Sequence, residues 1–595
     1  MKNKLEKSGQ KRERRTPLRW FRELLEKISD HFKLLFVGRL KNVREVRLWV
    51  AEWLLLITVV FLMSIVQMIW YGESYETEAY RAGGDYSEGT LGKVNSMNPL
   101  YAATSSEKVL AKLMFANLFS ADASGHLKGE LAKTLTMSDD GKTWTMVLRD
   151  NIKWSDGEAI TADDVIYTIG LITNSAAKTT VSADFSNVKI EKVDDKTVKF
   201  ALPSVYLDFM DTLEFPLIPA HAFKDVTPAL VYENDFSMHP IVSGPFTLNA
   251  MQVGSGLTGD ALQIIYLNRN ENYFNVNAQL ASFTVKTFET KSGIEAALKS
   301  LDVTATAELT DDVDGLPKTV SMRSSKVNGG VYAFLNTRDG VLKEVKIRQA
   351  IRKIVDIDSV LGEELSSSRL DYPILDSQNE GMEMPVIPGV DLDSAKSLLE
   401  EAGFHESEDG KLKNDSGDTL KLNLAVQNRG KMQQVAENLT KALRDFGFEI
   451  VLNSYDENQG AADFFSTVVK PRDYDILIYE IDLGVSADPY VYYGARQVSE
   501  SGWNLSNYSN GLANDALLSA RMTTDRALRK KKYESFLRRW VDDVPAIGLY
   551  QSTMRYYFSS NAQIYSENLT MIDGLDRFSD VNHWAVEKGT VRLTP

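Results

Sequence analysis

The stretch from Glu130 to Ile172, ELAKTLTMSDDGKTWTMVLRDNIKWSDGEAITADDVIYTIGLI, constrains the fold more than any other part of the chain. Trp144 to Leu148 alternates in the manner of a half-buried strand. Asp140-Gly141 before it marks a hairpin turn, and Asp156-Gly157 marks a second tight turn. Thr161 and Asp164 have the spacing of a capping box, with Thr161 as N-cap. Val165, Ile166, Ile169 and Ile172 then share one helical face. The predicted order is hairpin, turn, capped helix.

At 595 residues the chain exceeds a single core and divides into two or more domains. It has no cysteine, which excludes a disulfide framework, a thiolate nucleophile and a lipid-bearing cysteine anchor. Trp53 to Trp70 is instead an 18-residue run without a charge, extended on its N-terminal side by Leu48 to Ala51. That length spans about 30 Å of hydrocarbon. Trp49, Trp53, Trp70 and Tyr71 stand near its ends, where aromatic belts sit. Residues 1–47 hold 15 Lys/Arg against 6 Asp/Glu, and the acidic run GESYETEAY follows the apolar stretch. The positive-inside rule places the N-terminus in the cytoplasm and the bulk of the chain outside. A cleaved signal peptide is the alternative; the long basic segment and long apolar run favour a retained anchor. Residues 18–37 place Leu18, Phe21, Leu25, Ile28, Phe32 and Leu35 on one face, suited to the inner leaflet or to a partner protein. The acidic remainder excludes nucleic acid as an extracytoplasmic partner.

After an expected tether over 71–88, Gly92–Leu100 reads as a strand leading to a turn at Asn98-Pro99, and 188–202 as a hairpin. Strands are predicted from Ser243-Gly-Pro-Phe246 onward and over 262–269, giving a β-rich first lobe. The second half alternates strands (VYAFLN after Gly330, 420–426, 448–452, 475–480) with helices (345–355, 432–446, and one over 394–402 capped by Asp393). That order predicts an α/β lobe with a partly parallel sheet.

The 130–172 block resembles the N-terminal signature of the family 5 solute-binding proteins, which include dipeptide- and oligopeptide-binding proteins of ABC importers. The match runs through Leu131-Ala132, Ser138, Asp140-Gly141, Thr143-Trp144-Thr145, Leu148-Arg149, Ile152-Lys153-Trp154, Asp156-Gly157 and Thr161-Ala162-Asp163-Asp164-Val165. It continues in the family's order at Gly244-Pro245-Phe246, Leu267 to Phe274, Phe334 to Asn336, Arg348-Gln349-Ala350, Ala395 to Gly403, Asn504 to Asp515 with Ala520-Arg521, Val544-Pro545 and Leu549-Tyr550. The resemblance implies an α/β, two-lobed periplasmic-binding-protein-like fold (type II, cluster C-like) with mixed sheets, preceded here by one transmembrane helix. The expected divisions are 1–47 cytoplasmic, 48–70 anchor, 71–88 linker, 89–322 lobe I, 323–550 lobe II and 551–595 returning to lobe I.

Enzyme signatures are missing from the sequence: there is no G-x-S-x-G, Walker A loop or H-E-x-x-H. A G-x-G-x-x-G at Gly254 to Gly259 is followed by a strand pattern rather than a helix, so it reads as a hairpin loop. The six histidines form no i, i+3 or i+4 pair. No catalytic residue, cofactor or metal is expected. The resemblance implies a ligand held between lobes by main-chain hydrogen bonds, with an aspartate pairing its amine. Counting back from Asp488-Pro489, that aspartate's position holds Val485, so Asp482 fits only with an insertion, and the family's "G-W" is replaced by Tyr479-Glu480. Asp482 and Asp488 are the clamp candidates, with a turn role the alternative for Asp488. Tyr479, Glu480 and Trp503 are candidate cleft residues, with core positions the alternative for the aromatics. Asn95, Asn98 and Ser243 lie on segments that line the family's cleft, or form turns. The expected function is an anchored receptor that delivers peptides to an ABC permease and its ATPase. The alternatives are a non-transport sensor and a receptor for a non-peptide solute.

Overall fold

The computed structural model describes residues 26–27, 29–30 and 43–592, apart from 123, 182–184, 186, 255–260, 380, 457–463, 500 and 501. The chain forms two compact units, Met1–Ala79 with Lys588–Pro595, and Tyr80–Glu587. Among its described residues the first contains the helix Val43–Tyr75. Within it Arg47–Trp70 has a mean hydropathy of 2.3 and no buried side chain. At about 1.5 Å per residue that segment is long enough to cross a bilayer. The amphipathic reading of 18–37 falls almost wholly outside the described residues.

The second unit is built on a ten-stranded mixed sheet. From one edge its strands are Glu449–Asp456, Lys421–Asn428, Ile476–Asp482, Val320–Leu335, Ala546–Ser559, Ala305–Thr306, Asp85–Leu91, Ser282–Phe288, Gln263–Arg269 and Phe246–Val253. The pairs among the first three strands are parallel, with Met432–Asp445 as the helical crossover between Lys421–Asn428 and Glu449–Asp456. The two long central strands, Val320–Leu335 and Ala546–Ser559, pair antiparallel and run from one half of the molecule into the other. A four-stranded antiparallel sheet (Ala132–Met137, Thr143–Leu148, Thr197–Ala201, Lys189–Lys192) carries the predicted hairpins.

The apolar pattern explains where the cores lie. Val331, Ala333 and Leu335 bury one face of their strand, and Tyr332 and Phe334 bury the other, because side chains alternate and both faces are covered. The same holds for Ile476 and Ile478 against Leu477. A separate, larger core takes residues from Tyr86 to Ala305 and then from Met554 to Trp584. The chain therefore leaves the first lobe through one long strand and returns through the other.

Motif residues act as staples. Asp164 accepts the backbone N–H groups of Thr161 and Ala220, each at 2.8 Å, and the indole N–H of Trp154 at 3.4 Å. Asn270 donates its side-chain amide to the Gly244 carbonyl at 2.7 Å. Arg348 donates to the carbonyls of Asp543 (2.8 Å) and Leu342 (2.7 Å). Each satisfies backbone groups that a buried loop would otherwise leave unpaired.

Three sequence readings need correction. Residues 71–88 are not a plain tether: the helix continues to Tyr75, and strands follow at Glu76–Arg81 and Asp85–Leu91. Residues from Gly92 to Asn98 are not a strand; the strand lies before them. The acidic content of 71–88 hid it, since Glu88 is fully buried and ion-paired with Arg577. The N-cap of Leu392–Glu401 is Asp391, which accepts the Ser394 N–H at 3.0 Å; Asp393 falls inside the first turn. Of the Gly254–Gly259 loop, all but Gly254 lies outside the described residues.

Glu88 also accepts the Tyr556 hydroxyl at 2.8 Å, and Tyr86 meets Tyr556 at 2.9 Å. Burial alone would lower the Arg577 guanidinium, but Glu88 outweighs it and holds the charge. Arg577→Met would leave a buried carboxylate without its partner and should cost about 3–5 kcal/mol in urea denaturation followed by tryptophan fluorescence. Glu88→Gln retains an acceptor for Tyr556 but leaves the Arg577 guanidinium uncompensated, and should also cost about 3–5 kcal/mol.

Candidate ligand-binding cleft

The two long strands part company where they cross between the cores. Their register shifts between Lys326 and Gly330, leaving residues 327–329 without ladder partners on Ala546–Ser559. Asn328 fills the gap. Its N–H donates to the carbonyls of Met571 and Ile572, both at 3.0 Å. Its carbonyl accepts the Leu483 N–H at 2.7 Å, and its side-chain amide donates to the Gly484 carbonyl at 2.9 Å. This knot of three chain segments separates two cavities. The smaller, about 390 Å³, borders Asn328, Val485, Ser486 and the Asp208–Arg529 ion pair. The larger, about 610 Å³, lies within the size range of small-ligand sites.

Both cores contribute walls to the larger cavity. Ser105 and Lys108 come from the helix Ser105–Met114, Glu308 from the segment after Ala305–Thr306, and Asp573 to Arg577 from the returning chain. The opposite wall is Gln427, Arg429 and Tyr479 to Asp482. The strand Ile476–Asp482 pairs along its whole length with Val320–Leu335 on one side. On the other side its ladder with Lys421–Asn428 ends at Ile478. Residues 479–482 have no strand partner on that side, where the Asp482 carbonyl takes the Tyr492 hydroxyl and the remaining main-chain groups form an edge beside the cavity.

Asp482 is exposed on the cavity wall, and among the described residues its carboxylate accepts only the Gly484 N–H, at 2.8 Å. Although exposed, it lies inside the cleft, where partial loss of bulk water pushes it up to about 6, and the negative charges of Asp573, Asp576 and Glu480 add to the rise. Burial and the neighbouring Asp576 likewise raise Asp573, which caps the Leu575 N–H at 2.7 Å. Glu308, raised by burial, accepts the Ser105 hydroxyl and the Leu91 N–H.

The structure brings Tyr479, Glu480 and Asp482 together on one wall. It places the other candidates elsewhere. Asp488 is committed to Arg521 at 2.9 Å, and that guanidinium lies between the rings of Tyr206 and Tyr490 at 4.7 and 4.6 Å. Trp503 lies against Phe465 with ring centroids 5.5 Å apart, away from both cavities. Asn98 is buried and caps the Leu100 N–H at 3.1 Å; Ser243 is buried and accepts the Ala116 N–H at 3.0 Å. Asn95 is exposed, and its side chain donates to the Lys93 carbonyl at 3.4 Å. These three shape turns and line neither cavity. Sequence reasoning missed Lys108, Glu308, Arg429 and Asp573, which stand in unrelated segments and carry no motif.

Residues 126–503 match the family model described as bacterial extracellular solute-binding proteins, family 5 Middle. The chain belongs to that family. Family 5 proteins are the solute-binding components of ABC transporters, not enzymes. The oligopeptide-binding protein AppA of Bacillus subtilis is 23% identical over 523 residues, which cover 82% of this chain and 88% of that one. Its structure with a nonapeptide superposes with a TM-score of 0.68 at 22% identity, covering 86% of this chain and all of that one. NikZ of Campylobacter jejuni, solved with Ni(L-His), gives 0.69 at 21% identity, covering 84% and 99%. At these identities the structural likeness shows the fold, two-lobed and binding-protein-like, and leaves the solute open.

The raised Asp482 makes a sign-definite prediction. Folded, it holds its proton up to about pH 6; unfolded, to about 3.9. The folded state thus binds more protons across that window, and stability falls as pH rises through it. Asp482→Asn keeps an acceptor for Gly484 and removes the penalty. Its melting temperature should exceed the parent's by about 1–2 °C at pH 7.5 and match it near pH 4, read by differential scanning calorimetry without ligand.

Proposed function

We propose that this protein is the membrane-held receptor of an ABC importer that captures a short peptide in the larger cavity. It hands the peptide to a permease in the same membrane, and the partner ATPase supplies the energy. Lobe I comprises residues 85–322 with 551–587, lobe II residues 323–550, and the ligand sits where the long strands cross. The observation that carries the reading is the open edge at residues 479–482, since an extended peptide binds such an edge by main-chain hydrogen bonds, as an added strand. Asp482 on that edge is the carboxylate placed to pair the peptide's amino terminus; an ammonium leaving water needs such a partner. The Val43–Tyr75 helix serves as a retained anchor with the N-terminus inside. Tethering raises the receptor's effective concentration near the permease. The peptide complex of the AppA relative supports the ligand class.

Native mass spectrometry of the full chain, released from micelles after purification without denaturant from a peptide-rich host, tests the reading. Bound masses that sequence as peptides are expected, together with retention of the chain in membranes through an alkaline wash. A bound solute that is not a peptide would overturn the ligand assignment, and release by the wash would overturn the anchor. Asp482→Asn should weaken binding of a free-amine peptide by about 10-fold or more in titration calorimetry, and leave an N-acetylated peptide unaffected.

A further inference from the structure

The cavity's charges do not balance. Among its cations, Arg577 is paired with Glu88 and Arg429 with Glu480 at 3.4 Å. Arg555 is paired with Asp312 at 2.7 Å and Glu364 at 3.0 Å. These pairs cancel within the wall. Three carboxylates remain without an ion pair among the described residues, those of Glu308, Asp482 and Asp573, and Lys108 is the one lining cation left to set against them. The wall therefore carries an excess of negative charge, which Lys112 and Arg577 offset only in part at Asp573 and Arg577 only in part at Glu308.

The arrangement of that excess matters as much as its size. Asp573 belongs to the returning first-lobe chain and Asp482 to the second-lobe strand edge, yet each lines the same space, and the charge of Asp573 is felt at Asp482. Two like charges facing across a cavity repel, and a cation placed between them relieves both. Glu308 stands on a third segment, beside the helix that begins at Ser105. Among the described residues no three His, Asp or Glu side chains stand close enough to share a metal ion. The complement is thus an extended cation with separated charges, rather than a compact one.

Resting on the reading of this cavity as a peptide site, we propose that it selects short peptides with at least two positive charges. The amino terminus lies between Asp482 and Asp573, and a lysine or arginine side chain reaches Glu308. Neutral peptides answer only part of the excess, and acidic peptides add to it. Partial desolvation in the cleft raises all three carboxyls from their ordinary values, in keeping with negative charge that lacks a counterion beside it.

Titration calorimetry on the full chain in detergent micelles, with four probes, tests this. Alanyl-lysyl-alanine should bind about ten-fold or more tightly than trialanine, and alanyl-glutamyl-alanine most weakly, with the spread shrinking as salt rises. Glu308→Gln should bring the lysyl peptide to within about three-fold of trialanine while trialanine itself is little changed. Asp573→Asn, which keeps the cap on Leu575, should weaken all three peptides and serves as the second variant if Glu308→Gln does not fold. Binding of the three peptides within about two-fold of one another would overturn the charge selection and leave the peptide reading standing. Binding of spermidine with none of the peptides would overturn the peptide reading while sustaining the demand for a cation. Failure of all four probes would overturn both.

Discussion

Glu88 and Arg577 meet in the dry interior of the first lobe, and much of the molecule is arranged around that contact. Glu88 sits on a strand in the middle of the ten-stranded sheet, with Ser282–Phe288 on one side and Ala305–Thr306 on the other. Its carboxylate also takes the hydroxyl of Tyr556, on one of the two strands that join the lobes. Arg577 packs its guanidinium 4.1 Å from the Phe578 ring and reaches the wall of the larger cavity. One pair thus fastens the entering strand, the returning chain and the cavity wall together. Neither charge could stay in that interior alone, because an isolated ion is far more stable in water.

The same physics, applied across the cavity, gives the opposite result. There the paired arginines are neutralised by their own neighbours, and the remaining carboxylates face the cavity. A binding site differs from a core in just this respect: it keeps polar groups whose best partner arrives from outside. The raised Asp482 is a local penalty on the empty protein, of the kind that binding sites trade against stability. The strand edge at residues 479–482 is a second unfilled valence, in hydrogen bonds rather than charge.

The fold was legible because its information is local. Asp140-Gly141, Thr161 and the apolar face beginning at Val165 specify hairpin and helix by short-range rules, and the chain adopts Thr143–Leu148 and Ala162–Ile172 accordingly. The resemblance rested on residues such as Asp164, Asn270 and Arg348, which staple loops. Such residues report architecture and are silent about the solute. The site was only partly legible. Tyr479, Glu480 and Asp482 are neighbours in sequence and so were found as a group, whereas Lys108, Glu308 and Asp573 meet them only through sheet topology. Asp488 and Trp503 drew attention by residue type, but an arginine and a phenylalanine distant in sequence had already claimed them. The strand at Asp85–Leu91 was missed for a related reason: a buried glutamate reads as solvent-facing until its arginine, 489 residues away, is in view.

That separation bears on how the protein comes to exist. The strand Asp85–Leu91 is among the earliest parts of the large unit to leave the ribosome, yet its sheet neighbours begin at Ser282 and Ala305 and its counter-charge at Arg577. Contacts of such long reach form late, after the entropy of closing a very large loop has been met. Until nearly the whole chain has been delivered, a central strand with a naked carboxylate has no place to go. The first lobe's core thus waits for residues Met554 to Trp584, whereas the cores of the second lobe draw only on residues from Val331 to Tyr550. The first lobe's central strand is completed only when the returning chain brings Arg577 to Glu88.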